Sequence, residues 1–445
     1  MNERLTASEK QKLSIIQIAL IACVFVFCTA GAVLIRRDYC PDESIRQMLT
    51  EWIFRHQALP TGNEPELIMP GWGFSYALYP YLSSVINAFF MGIVSLLCPT
   101  DGMFLLASRM CSVLSVTGFC LYSCRLGNLL FKSRPAAALF AVIAVFLPQV
   151  MFLGMYQNSD SLALMSLCMV VFYFLSGYRS GWSVKDCLGL AVSVSIALLS
   201  YYSIYGWLLV FGVGFAACCL GKKETRGLFL RRSALILGVV LVLAGWFFIR
   251  NAVLHDGDFL GLSTAEKHRN DYIARGNALM AGSFRPSDAA GNTPLKAFLK
   301  DQCGWLRLTV RSFIAAFGYM NIFLTSPEYY FYYLVFGLGC ILYLVFLVRG
   351  AVPVEQRRLF LLLALSGLLT FALSYWQSYT SDWQPQGRYV ISCIIALSYM
   401  ISWVSDRLSL RAGNRKSLPA VFLSVLWIGM FLRIFFGIML PGMTV

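Results

Sequence analysis

The sequence predicts an all-α, polytopic integral membrane protein, and three observations support this fold class. Of the 445 residues, 58% are hydrophobic and only 13% are charged, whereas soluble proteins carry about 25% charged residues. The apolar residues form repeated runs of about 20, the length that crosses a ~30 Å hydrocarbon layer as a helix. Lysine and arginine cluster in the short polar segments between these runs, as membrane topology requires. We therefore expect about 11 transmembrane helices, in a single domain over residues 1–445.

The formal charge of +14 does not indicate a nucleic-acid partner, because the basic residues lie in the loops between apolar runs. Most of the 14 cysteines lie inside these runs, where cysteine behaves as a small apolar residue. Cysteine and histidine do not cluster at zinc-site spacing. Cys40, Cys98 and Cys303 fall in predicted outer segments, and a disulfide among them stays open.

The first span, 13–35, follows a basic N-terminus, which places that terminus in the cytoplasm and the next segment outside. The span is too long for a signal-peptide core, so we expect it to stay uncleaved. The first outer loop, 36–100, contains an amphipathic helix over 41–57. Residues 75–98 are apolar enough to span, but spanning would place the basic segment after 124 outside. A membrane-lying or re-entrant helix is therefore expected there.

The later spans follow in order and leave every strongly basic short loop in the cytoplasm. They are 103–124, 135–154, 160–177, a hairpin of two short helices over 187–220, 233–250, 329–348, 357–375, 388–404 and 418–440. A large outer loop occupies 251–327, and its amphipathic part from Leu306 to Phe323 is expected to lie on the membrane. We expect no large soluble domain after the last span, and we place the protein in the plasma or inner membrane.

Polar groups from three span ends meet on the outer face in this topology. Asp42 and Glu43 follow the first span, Asp160 opens the span over 160–177, and Arg388 opens the span over 388–404. Arginine binds phosphate oxygens through two parallel hydrogen bonds, and a carboxylate takes a proton from an attacking hydroxyl. The pattern therefore predicts a phosphate-bearing lipid substrate and a reaction that needs a base.

Each of these residues also has a purely structural explanation. Asp42 and Glu43 would complement a helix dipole, Asp160 or its neighbour Ser159 would cap a helix, and Arg388 would extend to lipid headgroups. Arg109 lies inside the span over 103–124, and needs either a partner or a wet cavity. Its place near the outer end is compatible with facing the site.

The same short motifs resemble a known group of enzymes. Pro41-Asp42-Glu43, a helix-bearing first outer loop, Asn158-Ser159-Asp160 and Gln386-Gly387-Arg388-Tyr389 together resemble the GT-C superfamily of membrane glycosyltransferases. The bacterial relatives of protein O-mannosyltransferases and aminoarabinose transferases are the most similar branch. The resemblance implies a sugar donor on polyprenyl phosphate, transfer with inversion to an envelope glycan, lipid or protein, and a site on the extracytoplasmic face.

The resemblance also assigns roles to residues. Asp42 would be the base, with Glu43 beside it or exchanging roles with it. Asp160 would orient the acceptor or, in metal-dependent members, hold a divalent cation such as Mg or Mn together with Asp42. Arg388 would hold the lipid phosphate. The further candidates for substrate binding are Gln386, Tyr389, Arg109 and Asn158.

Two other functions stay open. A carrier or flippase would move a lipid-linked glycan without chemistry, and such proteins carry charged groups at mid-membrane and often a repeat. Here the acids avoid the span centres and the chain shows no repeat, which favours an enzyme. An O-antigen ligase or polymerase type of enzyme would share the many spans and the late outer loop. The acids after the first span favour the glycosyltransferase.

Overall fold

The computed structural model describes residues 13–221, 223–277, 286–289, 291–299, 304–411 and 418–444. Within these ranges the chain is helical, apart from one short antiparallel ribbon in which Ala316 pairs with Phe323 and Phe317 with Ile322. The all-α class is therefore confirmed.

The elements follow in chain order. The α-helices of the first half are α1 (Ile15–Leu34), α2 (Glu43–His56), α3 (Leu82–Leu97), α4 (Asp101–Leu130), α5 (Arg134–Val145), α6 (Pro148–Leu153), α7 (Asp160–Ser180), α8 (Val184–Leu198), α9 (Tyr205–Gly221) and α10 (Lys223–Arg226). Those of the second half are α11 (Phe229–Val240), α12 (Trp246–Leu254), α13 (Leu262–Ala274), α14 (Pro294–Leu299), α15 (Trp305–Ile314), α16 (Ser326–Val348), α17 (Val354–Thr380), α18 (Ile394–Arg411), α19 (Leu418–Ile434) and α20 (Leu440–Thr444). The ribbon consists of β1 (Ala316–Phe317) and β2 (Ile322–Phe323). Short 3-10 segments lie at Pro65–Leu67, Tyr76–Leu78, Tyr202–Ile204, Pro286–Asp288 and Gly387–Cys393, and π turns at Leu241–Gly245 and Phe435–Met439.

In the described part of the chain, nine helices are long and apolar enough to cross a membrane. They are Ile15–Leu34, Asp101–Leu130, Asp160–Ser180, Tyr202–Gly221, Phe229–Leu254, Ser326–Val348, Val354–Thr380, Gly387–Ser409 and Leu418–Thr444. The protein is thus a polytopic membrane protein, as predicted, with two spans fewer than the expected number.

The two differences have physical causes. The predicted span over 135–154 is divided, because α5 ends at Val145 and Pro148 opens the separate helix α6; proline removes an N–H donor and clashes with the preceding turn. The first helix of the predicted hairpin, α8, has only 15 residues. At 1.5 Å per residue this is shorter than the ~30 Å hydrocarbon layer.

The packing of helix α5 explains why residues 135–154 were predicted to span the membrane. From Ala136 to Val145 every residue is buried except Ala138, which is partly buried. The helix packs against α4, α18 and α19. A helix that is apolar on all its faces is buried either in lipid or in protein. Here neighbouring helices, and not lipid, cover it.

The first outer loop contains the predicted amphipathic helix as α2 and a second helix, α3, over part of 75–98. Helix α3 has 16 residues, does not reach the length of the nine candidate spans, and packs against α2 and α4. In the late loop, the predicted amphipathic helix ends at Ile314 and the chain continues into the ribbon. Cys40 is buried and Cys98 exposed, and both thiols are free; Cys303 lies outside the described residues.

Candidate functional site

The structure brings the ends of three elements together around one guanidinium. Arg388, in the 3-10 segment before α18, donates from Nη2 to Asp42 Oδ2 over 2.6 Å. Its Nη1 lies 4.0 Å from Oδ2 of Asp160, the first residue of α7. Asp42, Asp160 and Arg388 were singled out from three distant parts of the sequence, and they form one cluster.

Asp42 directs its side chain into this cluster and away from its own helix. It precedes α2 in a left-handed backbone conformation with φ of 59°, and its side chain makes no capping hydrogen bond. Aspartate tolerates this conformation better than most residues. The carboxylate therefore pairs with Arg388 and does not cap the helix.

Of the three predicted acids, Asp42 is the one whose side chain is accessible to solvent. Its side chain is 26% exposed, against 2% for Asp160 and 1% for Glu43. Burial alone would raise the pKa of Asp42, but the charges of Arg388 and Arg46 outweigh it and hold the pKa below its ordinary value. Asp42 is therefore a carboxylate at neutral pH.

Glu43 and Arg109 bind each other and not the cluster. Arg109 donates from Nε and Nη2 to the two oxygens of Glu43 over 2.8 and 2.9 Å. Its remaining N–H groups donate to the carbonyl oxygens of Ala32, Ile35 and Arg36 at the end of α1. All five donors of Arg109 are thus used inside the protein, and the pair connects α1, α2 and α4.

Asn158 is also engaged by backbone groups. Its Nδ2 donates to the carbonyl oxygens of Leu153 and Tyr156 over 2.7 and 2.8 Å, and its Oδ1 accepts from the N–H of Ser161 over 2.9 Å. Asn158 therefore provides the capping interaction of α7 that the sequence attributed to Ser159 or Asp160. It shapes the turn that presents Asp160.

The segment Gln386–Tyr389 fixes the position of Arg388. The Tyr389 hydroxyl accepts from Arg388 Nη2 over 3.2 Å and donates to Gln384 Oε1. Gln386 Oε1 is buried and has no hydrogen-bond partner in the described part of the chain. Nε and Nη1 of Arg388 likewise lack a hydrogen-bond partner there. Buried donors without partners are costly, so Nε and Nη1 of Arg388 mark a place for a ligand with acceptor oxygens.

Gly387 allows this segment to pass against α15. Its N–H donates to Ser312 Oγ over 2.8 Å, and a Cβ atom at this position would lie 1.9 Å from the backbone nitrogen of Phe313. Such an overlap cannot be relieved by rotating a side chain, because the neighbour is backbone.

We expect Gly387→Ala to displace the segment and with it Arg388. Overpacking of this kind costs about 1–3 kcal/mol or more. A lowered unfolding midpoint of the purified variant is the expected result. Gly429→Ala is the matched control, since nothing lies within 4 Å of a Cβ there. Equal stability of the two variants would contradict this account.

The sequence interpretation missed Arg46, which lies on α2 beside this cluster. Its Nη1 donates to Ser159 Oγ over 2.6 Å, and its guanidinium covers the rings of Tyr76 and Tyr201. A signal was present, because position 46 follows Asp42 by four residues and residues four apart lie on one face of a helix.

The donor set does not fit a divalent cation. The carboxylates of Asp42 and Asp160 both face the guanidinium of Arg388. The described residues contain no group of three or more His, Cys, Asp or Glu able to hold a metal ion. Magnesium and manganese prefer several oxygen ligands, and here a positive side chain occupies the position between the two acids.

The fold and this site define a polytopic membrane protein with a charged cluster where span ends meet. Neither a protein-family profile nor a curated protein matches the sequence. Solved structures do match the fold, at low sequence identity.

ArnT from Cupriavidus metallidurans, solved bound to undecaprenyl phosphate, gives a TM-score of 0.56 with 15% identity over 89% of this chain and 62% of that one. The oligosaccharyltransferase AglB from Archaeoglobus fulgidus, solved with an inhibitory peptide and a dolichol-phosphate, gives 0.50 with 11% identity over 94% of this chain and 56% of that one. This chain thus spans less than two thirds of the length of either protein. The resemblance to GT-C membrane glycosyltransferases is confirmed at the level of the fold.

Proposed function

We propose that the protein is a membrane glycosyltransferase that moves a sugar from a polyprenyl-phosphate donor to an envelope glycan, lipid or protein. ArnT and AglB, whose folds it shares, were solved with polyprenyl phosphates. The short basic loops favour a cytoplasmic N-terminus and a site on the extracytoplasmic face. The observation that carries the proposal is the accessible carboxylate of Asp42 beside the buried, partly unpartnered guanidinium of Arg388.

The two groups suit the two ends of a displacement reaction. Arg388 holds the lipid phosphate. It stabilises the negative charge that the phosphate gains when it leaves the sugar. Asp42 takes the proton from the acceptor hydroxyl while the oxygen of that hydroxyl attacks the anomeric carbon. The acceptor oxygen bonds to the anomeric carbon on the face opposite the phosphate, and the bond between that carbon and the phosphate oxygen breaks. The anomeric configuration therefore inverts and polyprenyl phosphate is released. Asp160 is buried next to Arg388 and orients its guanidinium.

An apolar cavity next to the Arg388 segment supports a lipid donor. It has a volume of about 290 Å³ and lies between α15, α16, α17 and the start of α18. Its lining includes Phe313, Phe336, Phe371, Val390 and Leu397. We place the first prenyl units of the donor here, because an apolar chain needs such a surface where it leaves the charged cluster.

Glu43 and Arg109 have a supporting role in this proposal. Since Arg109 has no donor left for a substrate, and Glu43 accepts from both Arg109 and the Gln157 N–H, the pair positions the loop that carries Asp42. Tyr389 and Gln386 line the donor site, and Asn158 supports Asp160.

Release of sugar from radiolabelled polyprenyl-phosphate sugars by the purified full chain tests this function. We expect turnover with at least one donor sugar when an envelope extract supplies acceptors. Binding or movement of the lipid without sugar release, across a panel of donors, would favour a carrier and remove the proposed function.

The acid limb of the pH profile gives a second test. In the folded protein the pKa of Asp42 lies below its ordinary value of 3.8, so the base stays ionised at all higher pH values. The stability that its pairing with Arg388 provides is lost as the pH falls through that lowered pKa. We expect kcat/KM, which reports the free enzyme, to stay level from pH 7 to about 5. A fall centred near pH 6, with stability unchanged, would exclude Asp42 in its present environment as the base.

A further inference from the structure

Arg46 is a buried charge without a carboxylate partner. Its side chain lies on α2 and is 5% exposed. In the described ranges of the chain, no Asp or Glu oxygen lies within 4.0 Å of its guanidinium, whereas Arg388 has both Asp42 and Asp160 within that distance. The direct partner of its Nη1 is the neutral Ser159 hydroxyl. Its Nε is buried and has no hydrogen-bond partner among the described residues.

This arrangement differs from that of a structural arginine in the same protein. Arg109 is also buried, and each of its five donors has an acceptor, including a carboxylate held through two hydrogen bonds. The nearby charge of Asp42 partly offsets the burial of Arg46, but a buried N–H donor without an acceptor remains costly. A ligand that brings negative charge would remove this cost at Arg46.

Aromatic rings hold the Arg46 guanidinium in place. Its central carbon lies 4.6 Å from the centre of the Tyr76 ring and 5.7 Å from that of Tyr201. Tyr201 stacks on Tyr389 with ring centres 6.2 Å apart, and Tyr389 lies below the guanidinium of Arg388 at 5.1 Å. Both guanidiniums thus contact the same pair of stacked rings, and both retain unpartnered N–H groups among the described residues.

We propose that Arg46 is a second phosphate-binding residue, which acts with Arg388 on one anionic group. The identification of that group as the phosphate of a polyprenyl lipid rests on the proposed function. The chemistry itself is phosphate, because a fixed guanidinium fork matches phosphate oxygens. Two arginines at the phosphate would also disperse the charge that develops on the leaving group.

Binding to the purified full chain in nanodiscs of neutral lipid tests this inference. The probes are undecaprenyl phosphate, the uncharged undecaprenol, inorganic phosphate and phosphatidylglycerol. The variants are Arg46→Gln, Arg46→Lys and, as the matched control on the same helix, Arg55→Gln, whose side chain is 71% exposed. Each preparation is also melted without ligand.

We expect Arg46→Gln to weaken binding of undecaprenyl phosphate by about 30-fold or more, since a buried charged partner is lost. Undecaprenol binding should not change. Arg46→Lys should lie between the two because it keeps the charge without the fork, and Arg55→Gln should match the wild type. The ligand-free Arg46→Gln protein should melt close to the wild type, because the Ser159 hydrogen bond is lost while an unpartnered buried Nε is removed.

Two results would overturn the inference. One is wild-type affinity for undecaprenyl phosphate in folded Arg46→Gln. The second is equal weakening of undecaprenol binding together with a lower melting temperature, which indicates a structural role. Full occupation by inorganic phosphate or phosphatidylglycerol at the concentrations that undecaprenyl phosphate requires would support the phosphate role of Arg46 and remove the polyprenyl lipid as the source of the phosphate. Phosphate-dependent lipid binding without sugar release would instead remove the proposed transfer reaction and leave Arg46 in its role.

Discussion

Asp42→Asn should reduce sugar transfer by about 10²–10⁴-fold, the usual contribution of a general base. Asparagine keeps the size of the side chain but cannot accept the proton from the acceptor hydroxyl. Donor binding should be unchanged or tighter, because the carboxylate that holds Nη2 of Arg388 over 2.6 Å is no longer charged. Initial rates of sugar release and equilibrium binding of polyprenyl phosphate, measured on one preparation, separate the two effects.

Asp38→Asn is the matched control for this experiment. Asp38 lies in the same loop, but its side chain is 48% exposed and its carboxylate lies 3.7 Å from the exposed Arg37. Its replacement should leave both transfer and binding at the wild-type level. Equal turnover in wild type and Asp42→Asn would remove Asp42 as the base and point to Asp160 or Glu43, of which Glu43 already accepts three hydrogen bonds.

The sequence allowed the membrane class and the position of the cluster to be predicted, for a shared physical reason. A run of apolar residues determines where a span begins and ends, and the sidedness of the basic loops then determines which ends meet. Asp42, Asp160 and Arg388 each lie at such an end, so topology alone predicted that they would meet. The structure places Arg388 within 4.0 Å of both acids.

Burial against protein could not be separated from burial in lipid by the same reasoning. Helix α5 is apolar on every face because α4, α18 and α19 surround it, and its sequence is indistinguishable from that of a lipid-facing helix. Proline at position 148, which opens α6, was the available indication that the segment is divided.

Pairing between side chains was also beyond the sequence. Glu43 follows Asp42 directly, and both were candidates for the base, but successive residues at a helix start point in different directions. As a result Asp42 faces Arg388 and Glu43 faces Arg109. Only the three-dimensional arrangement shows that one of these arginines has every donor engaged and the other does not.

The Glu43–Arg109 pair leads to the largest expected effect on stability. Glu43→Gln leaves the buried Arg109 guanidinium without its counter-charge. Arg109→Met leaves the Glu43 carboxylate with the Gln157 N–H alone and removes a donor from three carbonyl oxygens at the end of α1 and just after it. Breaking a buried pair from one side costs about 3–5 kcal/mol. Denaturant titration of each variant in detergent measures the change in the free energy of unfolding.

The double variant and a surface pair complete this test. Glu43→Gln combined with Arg109→Met should be less destabilised than the sum of the single variants, because residues in direct contact are not additive. Arg37→Met removes the contact with Glu51 over 3.2 Å at the surface and should cost about 0–1 kcal/mol. If Glu43→Gln were as stable as the wild type and yet lost sugar transfer, its carboxylate would belong to the chemistry. The present arrangement, in which Arg109 holds both oxygens of the Glu43 carboxylate, would then be a resting state that donor binding opens.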